Sequence, residues 1–345
     1  MRTKLLLLCL ALLALGSSSC RKDRPGPPDD TPVVVGSDGV YITNEGNFGW
    51  GNATVSYHDR TNGTTVEDLY APANGSALGD VCQSMTLFND RGYLVVNNSG
   101  KVVVVDPQTF VATATITGFS SPRYLLPVSN GKAYVTDLFA DAIAVVDLVT
   151  NTITGSIPVP GRTEELALAY GKAFVTAPEG DQVLVIDTAT DQLIDSIPVS
   201  IGGSSIRQDA NGRLWVLCGG SMGGGIAPAL HRFDPATLAV EASFAFPASA
   251  SPWRLTINDA HDVLYFLDGG VYRMAIHDSV LPTNAFIPAD NRNFYGLGVD
   301  PDNGTIYVSD AVDYVQHGVV LRYSPGGTEL GSFLAGIIPG GFCFP

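Results

Sequence analysis

Basic residues are scarce in this chain. Its 345 residues include 19 Lys and Arg against 34 Asp and Glu, which gives a formal net charge of −15 at pH 7. An acidic surface of this kind repels nucleic-acid phosphates and anionic lipid headgroups. We therefore expect no nucleic acid among the partners, and contact with a membrane only through a lipid anchor.

Cysteine is also infrequent, with five residues in the chain. Cys9 lies in the apolar leader and Cys20 directly follows it, which leaves Cys82, Cys218 and Cys343 for the folded domain. Three thiols cannot pair evenly, and no two of them have the spacing of metal ligands. We interpret them as small buried hydrophobic residues, and we expect neither a metal nor a cofactor.

A long helical period is missing beyond the first twenty residues, which argues against an α/β fold. The chain instead repeats a pair of short apolar strands seven times. The second strand of each pair ends at Asp59, Asp106, Asp147, Asp187, Asp234, Ala275 or Ser324, at spacings of 40 to 49 residues. The first strands lie at residues 39–42, 93–96, 132–135, 172–175, 214–216, 264–266 and 306–308.

This period predicts an all-β, seven-bladed β-propeller with four-stranded antiparallel blades. A lone blade cannot bury both of its faces, so neighbouring blades must stack around an axis. A domain of this length exceeds the size at which a single hydrophobic core usually stops growing. A propeller avoids this limit because it places a separate core between each pair of adjacent blades. We assign residues 32–345 to the propeller.

The first 31 residues predict export. Residues 1–19 combine Arg2 and Lys4 with an apolar stretch at 5–15, which is typical of a signal peptide and too short to span a bilayer. The small residues before Cys20 resemble a bacterial lipobox, from which Ser17 departs, and this resemblance implies lipidation of Cys20. An ordinary secreted protein cut nearby is the alternative. Residues 20–31, rich in Pro and Asp, predict a flexible spacer.

One face of the predicted ring carries the candidate ligand site. The chain runs outward through each blade, from strand A to strand D, so the B-to-C loops and the D-to-A connections share that face. Aromatic side chains there could stack on an organic ligand, and charged or amide groups could orient it. The alternative is that these residues only support loops or pack between blades. The candidates are Glu45, Asn47, Trp50, Asp80, Gln83, Arg123, Tyr124, Asp137, Phe139, Glu164, Trp253, Arg254, Tyr295 and Asp310.

The sequence does not favour an enzyme. Of the five histidines, only His317 falls on the proposed binding face, and one histidine makes neither a three-ligand metal centre nor a His-based acid–base pair. No serine lies in a strand-turn-helix elbow. Adjacent acids such as Glu164 and Glu165 keep a propeller lyase or hydrolase as the weaker alternative.

The repeats at residues 133–147 and 173–187 resemble YncE-like, surface-layer-type propeller repeats. The motifs at residues 44–47, 79–85, 96–99, 121–124 and 336–344 are similar to those of Bacteroidota lipoprotein propellers. That group includes the BtuG-like surface lipoproteins, which capture cobalamin above a TonB-dependent transporter. The resemblance implies an outer-membrane lipoprotein at the cell surface, although a periplasmic position is open. It also implies that residues 341–344 complete the first blade.

Two functions follow as hypotheses. The first is a non-catalytic binding protein that captures a small-molecule nutrient, with a corrinoid such as vitamin B12 as the named candidate, and hands it to an outer-membrane transporter. The second is a platform that binds a partner protein of the cell envelope with the same face. A pocket on the ring axis would favour the first, and a flat face the second.

Overall fold

The computed structural model describes residues 35–36, 38–221, 223 and 225–345. The signal peptide, the lipidated Cys20, the spacer and the start of the domain at residue 32 lie outside the described residues and stay predictions. Within the described part, no helix is long and apolar enough to cross a membrane.

The described residues form 28 strands arranged in seven four-stranded antiparallel sheets, as the sequence predicts. Each sheet is one blade. Blade 1 contains β1 (Gly39–Asn44), β2 (Thr54–Asp59), β3 (Thr65–Val66) and β28 (Pro339–Cys343), and blade 2 contains β4 (Cys82–Phe88), β5 (Arg91–Val96), β6 (Lys101–Val105) and β7 (Ala112–Thr117). Blade 3 contains β8 (Pro122–Ser129), β9 (Lys132–Asp137), β10 (Ala142–Asp147) and β11 (Thr152–Pro158), and blade 4 contains β12 (Leu166–Ala169), β13 (Lys172–Thr176), β14 (Gln182–Asp187) and β15 (Gln192–Pro198).

The remaining three blades follow the same order from the axis outward. Blade 5 contains β16 (Gly203–Gln208), β17 (Leu214–Cys218), β18 (Ala229–Phe233) and β19 (Val240–Ala245). Blade 6 contains β20 (Trp253–Ile257), β21 (Val263–Leu267), β22 (Gly270–Ala275) and β23 (Ile287–Pro288), and blade 7 contains β24 (Phe294–Val299), β25 (Ile306–Asp310), β26 (His317–Tyr323) and β27 (Glu329–Ile337). A single turn of helix, α1 (Tyr70–Asn74), connects blade 1 to blade 2.

The last strand closes the ring. In β28, Cys343 lies opposite Tyr41 of β1 and Gly341 lies opposite Thr43, in antiparallel register. β28 is therefore the inner strand of blade 1, while the other three strands of that blade come from the opposite end of the domain. The predicted closure by the carboxyl-terminal strand is confirmed.

The hydrophobic core is divided into seven clusters, one between each pair of adjacent blades. Strand β5 shows how the sequence produces this division. Tyr93 and Val95 pack into the cluster shared with blade 3, whereas Leu94 and Val96 pack into the cluster shared with blade 1. Alternate residues of a strand point to opposite faces, so a continuous apolar run buries both faces of a blade at once.

The recurrent Asp at the end of the third strand caps the turn to the fourth. Asp106, Asp147 and Asp187 each accept hydrogen bonds from the backbone N–H groups two and three residues later. These bonds lower the pKa of each carboxyl, chiefly through the N–H three residues on. At the degenerate copy Ala275 the contact is reversed, because Asp278 accepts from the Ala275 N–H.

Candidate functional site

A cavity of about 480 Å³ opens at the end of the ring axis where the B-to-C loops and the D-to-A connections meet. Its walls are built by the first residues of the inner strands and by the loops above them. The lining residues are Glu45, Gly46, Phe48, Val81, Gln83, Asn97, Asn98, Ser121, Arg123, Tyr124, Leu138, Phe139, Glu164, Ser204, Ser205, Trp253, Arg254, Tyr295 and Ile338.

β-Bulges turn side chains toward this cavity. In six of the seven inner strands the pairing with the second strand shifts register at the cavity end. Gln83 lies in the shift of β4, Ser204 in that of β16 and Tyr295 in that of β24. An extra residue in one strand redirects the side chain that would otherwise pack between blades. The bulges are therefore the local feature that converts strand ends into a binding surface.

Three lining residues other than glycine have a left-handed backbone conformation. The φ angle is 61° at Val81, 57° at Arg254 and 54° at Ile338. β-Branched and long side chains rarely adopt this region, and each instance costs on the order of 1–3 kcal/mol. These three residues lie in the cavity wall, where the surrounding sheet holds the strained backbone in place.

A continuous chain of hydrogen bonds crosses the cavity floor. It starts in blade 4, where Glu164 accepts from the Arg123 Nε through both carboxylate oxygens at 3.0 Å, with an Nη2 contact of 2.9 Å. Arg123 also donates through Nη1 to the Gln83 Oε1 at 2.6 Å. This bidentate, charge-assisted geometry is the strongest pairing in the cavity and links blades 2, 3 and 4.

The chain continues across the axis to blades 6, 7 and 1. Gln83 donates to the Tyr124 hydroxyl at 3.3 Å, and that hydroxyl accepts from the Arg254 Nη1 at 3.4 Å. The Arg254 Nη2 lies 3.5 Å from Glu45, whose two oxygens accept from the Tyr295 hydroxyl at 3.0 Å. Six blades thus contribute a side chain to this chain of hydrogen bonds. Blade 5 contributes only the short side chains of Ser204 and Ser205 to the cavity lining.

Burial changes the proton affinities of these groups. Burial raises the pKa of Tyr295 above its usual range, and the neighbouring Glu45 carboxylate raises it further, so the phenol keeps its proton and acts as a donor. Burial also raises the pKa of Glu164, and the Arg123 guanidinium opposes that rise. Burial alone would lower the pKa of Arg254, but Tyr124 and Glu45 raise it, and the guanidinium stays charged.

A second, smaller cavity of about 140 Å³ lies further along the axis and shares Gln83, Tyr124 and Arg254 with the first. Its wall contains a separate ion pair between Glu165 and Arg207. The shared side chains therefore form the layer that divides the axial space in two. Glu164 and Glu165, adjacent in sequence, have different partners, Arg123 and Arg207.

Exposed aromatic side chains surround the cavity. Phe48 is 75% exposed, Trp50 78% and Phe139 66%, and Tyr314 is 43% exposed. All four lie in B-to-C loops, of blades 1, 3 and 7. Asn47 ties two of these loops together by donating to the Tyr314 carbonyl at 2.7 Å. The cavity thus has a polar floor and an aromatic rim.

The structure brings nine of the fourteen candidate residues into the cavity wall: Glu45, Gln83, Arg123, Tyr124, Phe139, Glu164, Trp253, Arg254 and Tyr295. The rings of Trp253 and Tyr295 are 4.9 Å apart in an edge-on arrangement. The Arg254 guanidinium lies 5.2 Å from the first ring and 5.5 Å from the second. Charged and aromatic groups are therefore in direct contact on one side of the cavity.

The other five candidates do not line the cavity. Asp137 is buried and accepts from the backbone of Ser121 and Phe139, and Asp310 accepts from the Asn293 backbone. The remaining three are Asp80, which accepts from the Gly49 N–H, Asn47, which joins two loops, and Trp50, which is on the exposed rim. Four of the five therefore support the loops that shape the site, as the alternative interpretation of such residues expects.

Phe48, Ser204 and Ser205 line the cavity but are absent from the candidate set. Phe48 could have been included because it lies in the same Gly-rich loop as Trp50. Nothing in the sequence around the two serines marks them as lining residues. Blade 5 has short side chains where the other blades have large ones, and this difference is seen only when the blades are superposed. Val81 and Ile338 owe their positions to backbone conformation, which composition does not indicate.

The histidines and cysteines of the described region lie away from the cavity. His58 forms a hydrogen bond with the Thr65 hydroxyl and stacks on the Phe333 ring, and the His317 Nδ1 lies 2.9 Å from a carboxylate oxygen of Glu67. Cys82 and Cys218 are buried in the clusters between blades 1 and 2 and between blades 4 and 5, which agrees with the interpretation of the thiols as core residues.

The fold and the site define a seven-bladed β-propeller with a polar axial cavity and an aromatic rim. The chain belongs to the family described as Domain of unknown function (DUF5074), whose model matches residues 38–323. A segment of 105 residues is 33% identical to the seven-bladed beta-propeller protein Rv1057 of Mycobacterium tuberculosis; it spans 28% of this chain and 25% of that protein.

Two solved structures show the same architecture at low sequence identity. A quinonprotein alcohol dehydrogenase-like protein from Bacteroides thetaiotaomicron superposes with a TM-score of 0.69 at 16% identity, over 89% of this chain and 78% of that one. A functionally unknown protein from Desulfotomaculum acetoxidans superposes with a TM-score of 0.64 at 12% identity, over 89% and 98%. At these identities the likeness extends to the fold alone.

Proposed function

We propose that the protein is a non-catalytic binding protein that takes a small organic ligand into the axial cavity. The observation that carries this proposal is the cavity itself, in which a hydrogen-bonded polar floor lies beneath exposed aromatic side chains from the loops of blades 1, 3 and 7. Its volume of about 480 Å³ falls within the ~300–1,000 Å³ range of small-molecule sites. A flat apolar body with polar edges would be complementary to these walls.

The cavity is preorganised for binding. Its floor side chains are held by partners in neighbouring blades, as Arg123 is by Glu164 and Gln83. The ring is closed by the pairing of β28 with β1, so every blade packs against a neighbour on both sides. A ligand that enters such a site orders little that was mobile, so more of its contact energy contributes to affinity.

A binding role fits the chemistry of the lining better than catalysis does. The residues of the cavity wall include no histidine and no cysteine. Ser204 and Ser205 therefore lack an adjacent base that would activate a hydroxyl for nucleophilic attack. The carboxylates of Glu45 and Glu164 are already engaged by Tyr295 and Arg123. They can position a ligand but are poorly placed to accept its protons.

The cellular setting in this proposal comes from the sequence. An export signal followed by a lipidated Cys20 would anchor the propeller to the outer membrane, with the spacer at residues 20–31 holding it away from the bilayer. Display at the cell surface would allow the cavity to capture a nutrient and present it to a TonB-dependent transporter. The resemblance to BtuG-like lipoproteins makes a corrinoid the named candidate.

A corrinoid is larger than the cavity, so most of the macrocycle would lie across the rim. The exposed rings of Phe48, Trp50 and Phe139 offer it a stacking surface. One edge of the molecule would reach the floor at Arg123 and Arg254. This arrangement predicts that both rim and floor substitutions weaken binding.

Calorimetric titration of the purified protein with cyanocobalamin tests the corrinoid proposal. We expect one-to-one binding that Trp253→Ala and Arg123→Ala each weaken at least tenfold. Arg273→Gln is the control, since Arg273 is exposed and its contacts with Phe286 and the Pro325 carbonyl lie outside the cavity. The absence of heat and of any spectral change would remove the corrinoid and leave the capture of a smaller ligand to be tested.

The exposed aromatic rim also favours a second candidate, a platform for a partner protein. Aromatic residues at this exposure are enriched at interfaces, where they anchor a partner. Substitutions separate the two functions. A platform would lose its partner with Phe48→Ala and Trp50→Ala and tolerate Arg254→Gln, whereas small-molecule capture would depend on Arg254 and Trp253.

A further inference from the structure

Arg254 is half-buried and is the more weakly paired of the two arginines in the cavity wall. Its nearest carboxylate oxygen belongs to Glu45 at 3.5 Å, and its contact with the Tyr124 hydroxyl is 3.4 Å long. Its Nε is buried and has no hydrogen-bond partner. By contrast, Arg123 holds Glu164 through contacts of 2.9 and 3.0 Å. Each nitrogen of the Arg123 guanidinium therefore has a partner, whereas the Nε of Arg254 has none.

The neighbours of Arg254 leave part of its hydrogen-bonding capacity unused. Both oxygens of Glu45 already accept from the Tyr295 hydroxyl at 3.0 Å. The guanidinium rests instead against the faces of Trp253 and Tyr295, at 5.2 and 5.5 Å from the ring centroids. Aromatic contacts orient a guanidinium without satisfying its N–H donors. A buried donor without a partner is costly, unless a ligand completes it.

The backbone holds Arg254 in an unfavourable conformation at this place. Its φ angle is 57°, and it lies in the register shift of β20. Both features point the side chain across the cavity floor rather than into the space between blades. Strained residues at strand ends are characteristic of ligand clamps.

We propose that Arg254 binds an oxyanion of the ligand, a carboxylate or a phosphate, at the cavity floor. The planar fork of a guanidinium matches the two oxygens of such a group in a bidentate arrangement. Trp253 and Tyr295 then contact the apolar part of the same molecule. This inference rests on the proposed capture function and narrows the ligand to an organic anion.

The acidic surface gives this assignment a further consequence. The net charge of −15 repels an anion at long range. Selection must then come from Arg254 at short range, where its N–H donors contact the oxyanion directly. Salt near 0.15 M shortens the reach of the repulsion to about 8 Å and is the condition in which the local preference can be measured.

Four probes that share a benzene ring and differ in charge test the proposal: benzoate, phenyl phosphate, benzamide and benzylamine. The readout is the indole N–H resonance of Trp253 in labelled protein, identified by its loss in Trp253→Phe. We expect benzoate or phenyl phosphate to shift this resonance with an affinity at least tenfold above that of benzamide. Acetate and inorganic phosphate, titrated separately, show which oxyanion the floor prefers.

Variants at two arginines of the same blade complete the test. Arg254→Gln removes the cation from the cavity and should weaken binding of the anionic probe at least tenfold. Arg273→Gln removes the same charge from the exposed outer part of blade 6 and should leave binding unchanged. If Arg254→Gln does not fold, the ranking of the four probes on the unmodified protein still decides the question.

Three results would overturn the inference: equal binding of benzamide or benzylamine and benzoate, an unchanged benzoate affinity in Arg254→Gln, or no response to any oxyanion. Binding of the neutral or cationic probe in the cavity would overturn only the oxyanion assignment and leave small-molecule capture intact. The capture function itself is contradicted by a different result, the retention of no cavity-dependent compound in dialysis.

Discussion

Arg60 of blade 1 donates through Nη1 to the carboxylate of Asp300 in blade 7, and the Asp300 side chain is fully buried. The same guanidinium contacts Asp302 at 2.9 Å and Asp38 at 2.6 Å. The first blade and the seventh are the two that close the ring, so this cluster joins the blades across the point where the circle is completed.

Replacement of Arg60 by Met should destabilise the propeller strongly. Loss of the guanidinium leaves Asp300 buried without its ion partner, a situation that typically costs about 3–5 kcal/mol. Urea unfolding followed by tryptophan fluorescence measures the change. Arg273→Met removes an exposed guanidinium that stacks on Phe286 but leaves no carboxylate buried without a partner, so it should cost only about 0.5–1 kcal/mol. A loss below about 1 kcal/mol in Arg60→Met would show that the cluster does not hold the blades together.

Removal of residues 339–345 should prevent formation of the closed ring. The deletion takes away β28, which pairs with β1, and the rings of Phe342 and Phe344, which pack against Tyr307 in the core between blades 7 and 1. It also exposes the unpaired edge of β1, which can then pair with another chain and cause aggregation. Size-exclusion chromatography and near-ultraviolet circular dichroism follow the outcome. Deletion of Pro345 alone is the control, and an unchanged melting temperature after the longer deletion would contradict the closure.

His58 should make the fold sensitive to mild acid. Burial lowers the pKa of its imidazole to about 4, and the Arg322 charge adds to the effect. Because the unfolded chain takes up this proton near pH 6.5, stability is retained above that pH and lost as the pH falls toward 4. The loss attributable to His58 is about 3 kcal/mol. The neutral variant His58→Gln should lack this component.

Unfolding free energies of the unmodified protein and of His58→Gln, compared at pH 7 and pH 4.5, isolate that component from the titration of carboxylates. His261→Gln, the substitution of an exposed histidine, serves as the control. Parallel curves for the unmodified protein and His58→Gln would show that His58 is not kept neutral by the fold.

The left-handed backbone at Arg254 predicts a difference in stability between two variants of this residue. Arg254→Gly and Arg254→Ala both remove the side chain, but only glycine adopts the φ of 57° without steric cost. The glycine variant should therefore be more stable than the alanine variant by about 1 kcal/mol. Thermal or urea unfolding compares them directly. An alanine variant as stable as the glycine variant would mean that the backbone relaxes and that no strain is stored there.

Much of the fold could be predicted from the sequence because the repeat carries it. Strand pairs such as residues 93–96 with the strand before Asp106 alternate toward two cores, and the capping Asp marks the turn in five of seven copies. The Arg60–Asp300 contact could not be predicted, since its partners are 240 residues apart and neither belongs to the repeated motif. The two-residue outer strands β3 and β23 also depart from the period.

The sequence predicted which face of the propeller carries the cavity, but it did not predict which individual side chains line it. Loop position alone does not separate Arg123, which lines the cavity, from Asp137, which holds the loop beside it. The distinction depends on β-bulges, which are set by three-dimensional pairing. Arg254 and Tyr295 were accessible to sequence reasoning because aromatic and basic residues recur at the start of inner strands.

Equilibrium dialysis against a small-molecule extract of growth medium tests the central claim most directly, with the retained compounds identified by mass spectrometry. The unmodified protein should retain at least one compound near one equivalent per chain. Trp253→Ala and Arg254→Gln should lose it, and Arg273→Gln should keep it. The same retained compounds for all four proteins, or none for any of them, would contradict capture of a small ligand by the axial cavity.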